Sequence, residues 1–112
     1  MSRRQRFFLF LVSPLLLIAA PVAAEEQSFT LVLAGHRFAP ESLDVPAGVR
    51  FVLVVKNTDD EKEEFESYSL NREVVIDPGE ESRINLGPHK PGNYAFVGEF
   101  HADTAQGQLI AR

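Results

Sequence analysis

Two short patterns in this 112-residue chain place chemically capable side chains two residues apart around an aromatic ring. The first closes an acidic run, Asp59-Asp60-Glu61-Lys62-Glu63-Glu64-Phe65-Glu66, which carries six carboxylates in eight residues. The ordinary reading of such a run is a solvated loop. Phe65 argues against it, because in an extended segment Glu64 and Glu66 point to one side and Phe65 to the other. Phe65 then plugs a core while two neighbouring carboxylates repel each other, a cost that a cation relieves. The second pattern is Gly98-Glu99-Phe100-His101. If Tyr94 to Phe100 is a strand, then Tyr94, Phe96, Gly98 and Phe100 face inward, and Glu99 and His101 share the other face. Glu64, Glu66, Glu99 and His101 are the expected metal ligands, with Glu63, Glu73 and His36 in reserve. Carboxylates plus imidazole form a borderline-to-hard donor set, suited to Fe, Mn, Zn or Cu(II) and not to Cu(I). His89, between Pro88 and Lys90, reads as a solvated turn tip. Arg72 is either an edge ion pair with Glu73 or a support for the carboxylates.

The composition excludes several chemistries at once. There is no cysteine, and the single methionine is Met1. Disulfides, thiolate zinc sites, iron–sulfur clusters and cysteine nucleophiles are out, and soft-metal ligation goes with them. There is no nucleophile elbow, no phosphate-binding glycine loop and no His-Glu-x-x-His helix. Metal-centred redox chemistry needs only ligands and an open position, so it survives.

The elements that must position these residues are strands. Residues 1–24 read as a signal peptide: Arg3, Arg4 and Arg6, an apolar run from Phe7 to Ala20, and small residues before Glu25. The run is short for a membrane span, and the segment implies export to the periplasm. Its three arginines are three of the chain's eleven bases, which leaves eight against sixteen acids, or −8, for residues 25–112. Such a surface repels nucleic acid and favours cations. Seven segments of residues 25–112 read as strands: Ser28–Leu33, Ser42–Val45, Val49–Lys56, Glu73–Ile76, Ser82–Leu86, Tyr94–Phe100 and Gln108–Ala111. Turn signals punctuate them. Val49–Lys56 is nearly continuous and apolar, as a central strand should be. The expected fold is an all-β antiparallel sandwich of Greek-key type with about seven strands in one domain, residues 25–112.

Phe38-Ala39-Pro40-Glu41-Ser42-Leu43-Asp44-Val45-Pro46-Ala47-Gly48 and Val54-Val55-Lys56-Asn57 resemble cupredoxin-like domains. Glu63-Glu64-Phe65-Glu66-Ser67, Asn71-Arg72-Glu73-Val74-Val75-Ile76, Gly98-Glu99-Phe100-His101 and Thr104-Ala105-Gln106-Gly107 narrow the likeness. Together they resemble the small periplasmic cupredoxin-like proteins that accompany bacterial FTR-type iron permeases. A related cupredoxin domain in another ferrous uptake system has a Glu-x-Glu pair, matched here by Glu64 and Glu66. It also has cysteines, which have no match; Phe38 and Gly98 or Glu99 lie near their places.

The resemblance implies a cupredoxin-like fold and a metal-binding role in iron uptake. Its cofactor or cargo is an iron or copper ion without a type 1 blue-copper site. It further implies ferroxidase-type assistance to Fe(II) oxidation, with Fe(III) passed to an inner-membrane permease alongside other periplasmic components. Two other readings stand beside it: a non-catalytic module carrying copper or another divalent ion, and a structural partner of the permease that merely concentrates cations. An exposed edge strand would permit a homodimer.

Overall fold

The computed structural model describes residues 9–18 and 26–112. Residues 9–18 are exposed and carry no regular secondary structure; the rest of the expected signal peptide lies outside the described residues. Among the described residues no helix is long and apolar enough to cross a membrane.

Nine strands follow: β1 (Gln27–Ala34), β2 (Arg37–Ala39), β3 (Ser42–Val45), β4 (Phe51–Asn57), β5 (Glu63–Ser67), β6 (Arg72–Ile76), β7 (Glu81–Leu86), β8 (Gly92–Gly98) and β9 (Gln106–Ala111). One sheet has the order β2-β1-β4-β7 and the other β3-β9-β8-β5-β6. The expected sandwich is present with two strands more than the sequence suggested, the short β2 and the acidic β5. It is not wholly antiparallel, since β1 runs parallel to β4 and β3 parallel to β9.

The core lies between the sheets. β4 contributes Phe51, Leu53 and Val55 to it, all fully buried. Val52 and Val54 are also buried, on the opposite face, flanked in register by Ser28, Asn85, Thr30 and Arg83. This explains the unbroken apolar run of a strand that has neighbours on both edges. Below the candidate site sits an aromatic trio. Phe38 meets Phe65 and Phe96 edge-on, at 6.2 and 5.1 Å between ring centres, while Phe65 and Phe96 lie 5.2 Å apart. Edge-to-face pairs of this kind add about 0.5–1.5 kcal/mol each beyond burial. They make a rigid floor from which β5 and β8 emerge.

The strand expected to reach Phe100 stops at Gly98. A 3-10 turn, Glu99–His101, takes over. The backbone N–H of Gly98 bonds the Ala105 carbonyl, closing the loop that leads to β9. Phe100, expected inside, is 48% exposed. Arg72 also departs from expectation: its guanidinium donates to the carbonyls of Asn71 and Asn85, tying β6 to β7 of the opposite sheet. His89 is a half-buried brace, not a solvated tip. Its Nε2 accepts the Gly87 N–H at 3.0 Å, and its ring packs on Phe51 and Tyr94. Burial holds its pKa below the usual value, with Arg72 adding repulsion.

Candidate metal centre

β5 divides its side chains by parity. Glu63, Phe65 and Ser67 are buried; Glu64 and Glu66 are half-buried on the outer face. The opposition of Phe65 to Glu64 and Glu66 is the one read from the sequence. The fate of Glu63 is different, since it is a carboxylate only 1% exposed at the inner end of the strand. An unpaired buried charge would be very costly, and every side of this one is occupied. Oε1 accepts the N–H of Phe100 at 2.8 Å and of Glu64 at 3.0 Å; Oε2 accepts from His101 Nδ1 at 2.6 Å. Gly98 makes the room. A Cβ there would stand 2.7 Å from Glu63 Cδ and 2.7 Å from Ala105 Cβ.

His101 is held on both ring nitrogens. Nε2 faces Glu61 Oε2 at 3.1 Å. The Glu63 hydrogen bond raises the pKa of His101 against the opposing effect of burial, and the charges of Glu63 and Glu61 add to the rise. The His36 ring stacks on His101, with centroids 3.6 Å apart and planes at 14°. His36 arrives from the two-residue turn joining β1 to β2, in which Gly35 and His36 both have positive φ, 58° and 57°. That geometry suits the twist of a hairpin but is uncommon for a residue with a side chain. Asp59 secures it, accepting the N–H of Gly35 at 2.7 Å and of His36 at 3.0 Å. Burial alone would raise the pKa of Asp59, but these bonds and the nearby histidines hold it below the usual carboxylate value. Asn57, itself buried, braces the segment: Oδ1 accepts the Asp59 N–H, and Nδ2 donates to the carbonyls of Glu61 and Ile76.

The seven residues expected from the sequence therefore fall into two groups. His36, Glu63 and His101 converge, each offering a donor atom within 4.8 Å of the others. Glu64, Glu66 and Glu73 form a second group of the same span on the outer face, and Glu99 joins it beside Glu66. Glu99 and His101 do not share a face, because at three residues per turn positions i and i+2 point about 120° apart. Glu66 stands directly opposite Glu73 in the β5–β6 register, where like charges destabilise. Sharing a proton with Glu99, with burial and the charges of Glu99, Glu73 and Glu64 adding to the effect, raises the pKa of Glu66 to about 7.

Sequence reasoning passed over Glu61, Asp59, Asn57 and the steric role of Gly98. One signal was there. Residues 63 and 65 share a parity, so the side that buries Phe65 also receives the carboxylate of Glu63.

A family model described as a cupredoxin-like domain matches residues 7–111. The chain belongs to that family. This cupredoxin-like protein is 44% identical over 80 residues to the protein RP394 of Rickettsia prowazekii (strain Madrid E), across 71% of its own length and 64% of the relative's. Among solved structures it resembles auracyanin A, a "blue" copper protein of Chloroflexus aurantiacus, with TM-score 0.64 and 12% identity over 76% of this chain and 98% of that one. It also resembles the metal-binding domain of the Cu(I)-exporting P-type ATPase CopA of Streptococcus pneumoniae, with TM-score 0.66 and 15% identity over 83% and 92%. At these identities the likeness is one of fold. A blue-copper ion needs a cysteine thiolate, two histidines and a weak axial ligand, usually methionine. This cupredoxin-like protein has no cysteine and no methionine beyond Met1, so its donors do not fit such an ion. Imidazole and carboxylate fit a harder one.

Proposed function

We propose that this protein is a periplasmic metal-binding module of iron uptake that assists Fe(II) oxidation and passes Fe(III) to an inner-membrane permease. The observation that carries the metal-binding part is the gathering of imidazole and carboxylate groups, His36, Glu61, Glu63 and His101, from three distant segments on one end of the sandwich. The outer acidic group supplies a further surface that favours cations. Carboxylate oxygens stabilise Fe(III) more than Fe(II), which lowers the potential of the couple. Each Fe(II) then gives up one electron more readily to an external oxidant, dioxygen or Cu(II). The sequence likeness to proteins that accompany FTR-type permeases supports the iron assignment, and residues 1–24 support export.

Anaerobic titration of the purified protein with Fe(II), followed by multiple-turnover oxidation under air with and without Cu(II), tests this reading. Saturable binding and faster oxidation are expected, and both should fall in the His101→Ala, Glu66→Ala double variant. No binding, or an unchanged double variant, defeats it. A second reading, a carrier of Cu(II) or another divalent ion without turnover, is favoured by the copper-binding proteins among its structural relatives. It predicts binding without acceleration.

A further inference from the structure

We propose that the cation sits on the outer side of His101, bound by Nε2 and by the Glu61 carboxylate, and that Glu63 fixes the imidazole tautomer instead of ligating. This assignment rests on the metal-binding reading above and names the atoms that carry it.

Two distances along the same row of side chains separate the two nitrogens of His101. Bonds of about 2.0–2.2 Å from a metal to imidazole nitrogen and carboxylate oxygen place neighbouring donors about 2.8–3.1 Å apart at an octahedral ion and about 3.3–3.6 Å apart at a tetrahedral one. His101 Nε2 and Glu61 Oε2 stand 3.1 Å apart, a hydrogen-bond distance that also leaves room for both atoms to take one ion in place of the shared proton. His101 Nδ1 and Glu63 Oε2 stand 2.6 Å apart, the spacing of a short charge-assisted hydrogen bond and too close for an ion to bridge. Glu63 also lacks a free face, because its other oxygen holds two backbone N–H groups. Leaving that position would strand both donors in the interior.

The surroundings agree. The Glu61 side chain is 60% exposed and free to adjust. A cleft of about 530 Å³ opens on this side, with Glu61 and His101 in its wall beside Pro78 and Phe100. A carboxylate that accepts the second N–H of a ligating histidine holds the ring in place and makes its other nitrogen a better donor. His36 lies face to face with His101, and two parallel rings do not aim their nitrogens at one point. It becomes a third donor only by turning out of the stack.

The test uses the full chain labelled with nitrogen-15 and Zn(II) as a diamagnetic probe. Long-range proton–nitrogen correlation should show His101 Nε2 shifted by the metal while Nδ1 keeps its proton. Calorimetry should show Glu61→Gln losing at least tenfold in Zn(II) affinity. Zn(II) on Nδ1, or Glu61→Gln binding within twofold of the parent, overturns the assignment and leaves the metal-binding reading standing. No Zn(II) or Fe(II) binding by the parent chain brings down both.

Discussion

Gly98→Ala is the smallest change that should reach the centre. The backbone at Gly98 is extended, φ −89° and ψ 106°, which alanine tolerates, so the cost is one of contact alone. The new methyl would meet Ala105 Cβ and Glu63 Cδ, each at 2.7 Å, against about 3.5–4.0 Å for carbons in favourable contact. Neither neighbour yields freely. Ala105 is fully buried in the core, and Glu63 is pinned by three hydrogen bonds. Overpacking of this kind costs about 1–3 kcal/mol. For a domain of this size, about 2 kcal/mol lowers Tm by roughly 8–16 °C. Urea unfolding and thermal circular dichroism would read the loss. Ala105→Gly in the same chain removes one of the two collisions, so a double-mutant cycle should return a coupling of at least about 0.5 kcal/mol. The His101 Nδ1 proton resonance should move as Glu63 is displaced. A loss below about 0.5 kcal/mol, or a cost that Ala105→Gly leaves untouched, refutes the account of Gly98 as the space that Glu63 occupies.

Other outcomes follow from the same geometry. Glu66 has its pKa raised from the ordinary 4.5 to about 7, so its contribution is present below pH 4.5 and is lost as pH climbs toward 7. Glu66→Gln should therefore flatten that decline and be more stable than the parent at pH 8, by chemical denaturation. His101 has its pKa raised by Glu63, so this ion pair stabilises below the unfolded value of about 6.5 and fades as pH rises through the folded one; NMR titration of Glu63→Gln should show the His101 pKa falling. Phe65→Ala empties the centre of the aromatic trio and should cost about 3–5 kcal/mol, enough to unfold much of the protein at 37 °C. Asp59→Ala strands the Gly35 and His36 N–H groups and should cost about 1–2 kcal/mol, with amide exchange rising at those two residues and not in β4.

Much of the framework was legible because it is written in local patterns. The run Val52-Leu53-Val54-Val55 announces a strand with neighbours on both edges, and the parity of Glu64, Phe65 and Glu66 is a property of any extended segment. β2 was missed because three residues are too few to show a period. β5 was missed because three of its five residues are glutamates, and its strand character comes from pairing with β6 and β8. The switch to a 3-10 turn after Gly98 depends on Glu63, thirty-seven residues from Phe100, capturing the Phe100 N–H. No window of sequence holds both partners. The candidate ligands were therefore recognisable by type, while their division into an imidazole group and an all-carboxylate group depended on the tertiary fold.

The segment between Asn57 and Phe65 has a consequence for how the protein can change over time. Surface connections ordinarily absorb insertions and deletions, and this one looks like a polar loop of that kind. Its length, however, is gauged at both ends, by Asn57 clasping Asp59, Glu61 and Ile76 and by Phe65 seated in the core. One residue more or fewer between those anchors would pull Asp59 or Glu61 away from Asn57, and with them the clasp on the His36 turn. Descendants of this sequence should therefore keep the length of this connection more strictly than that of an ordinary surface loop.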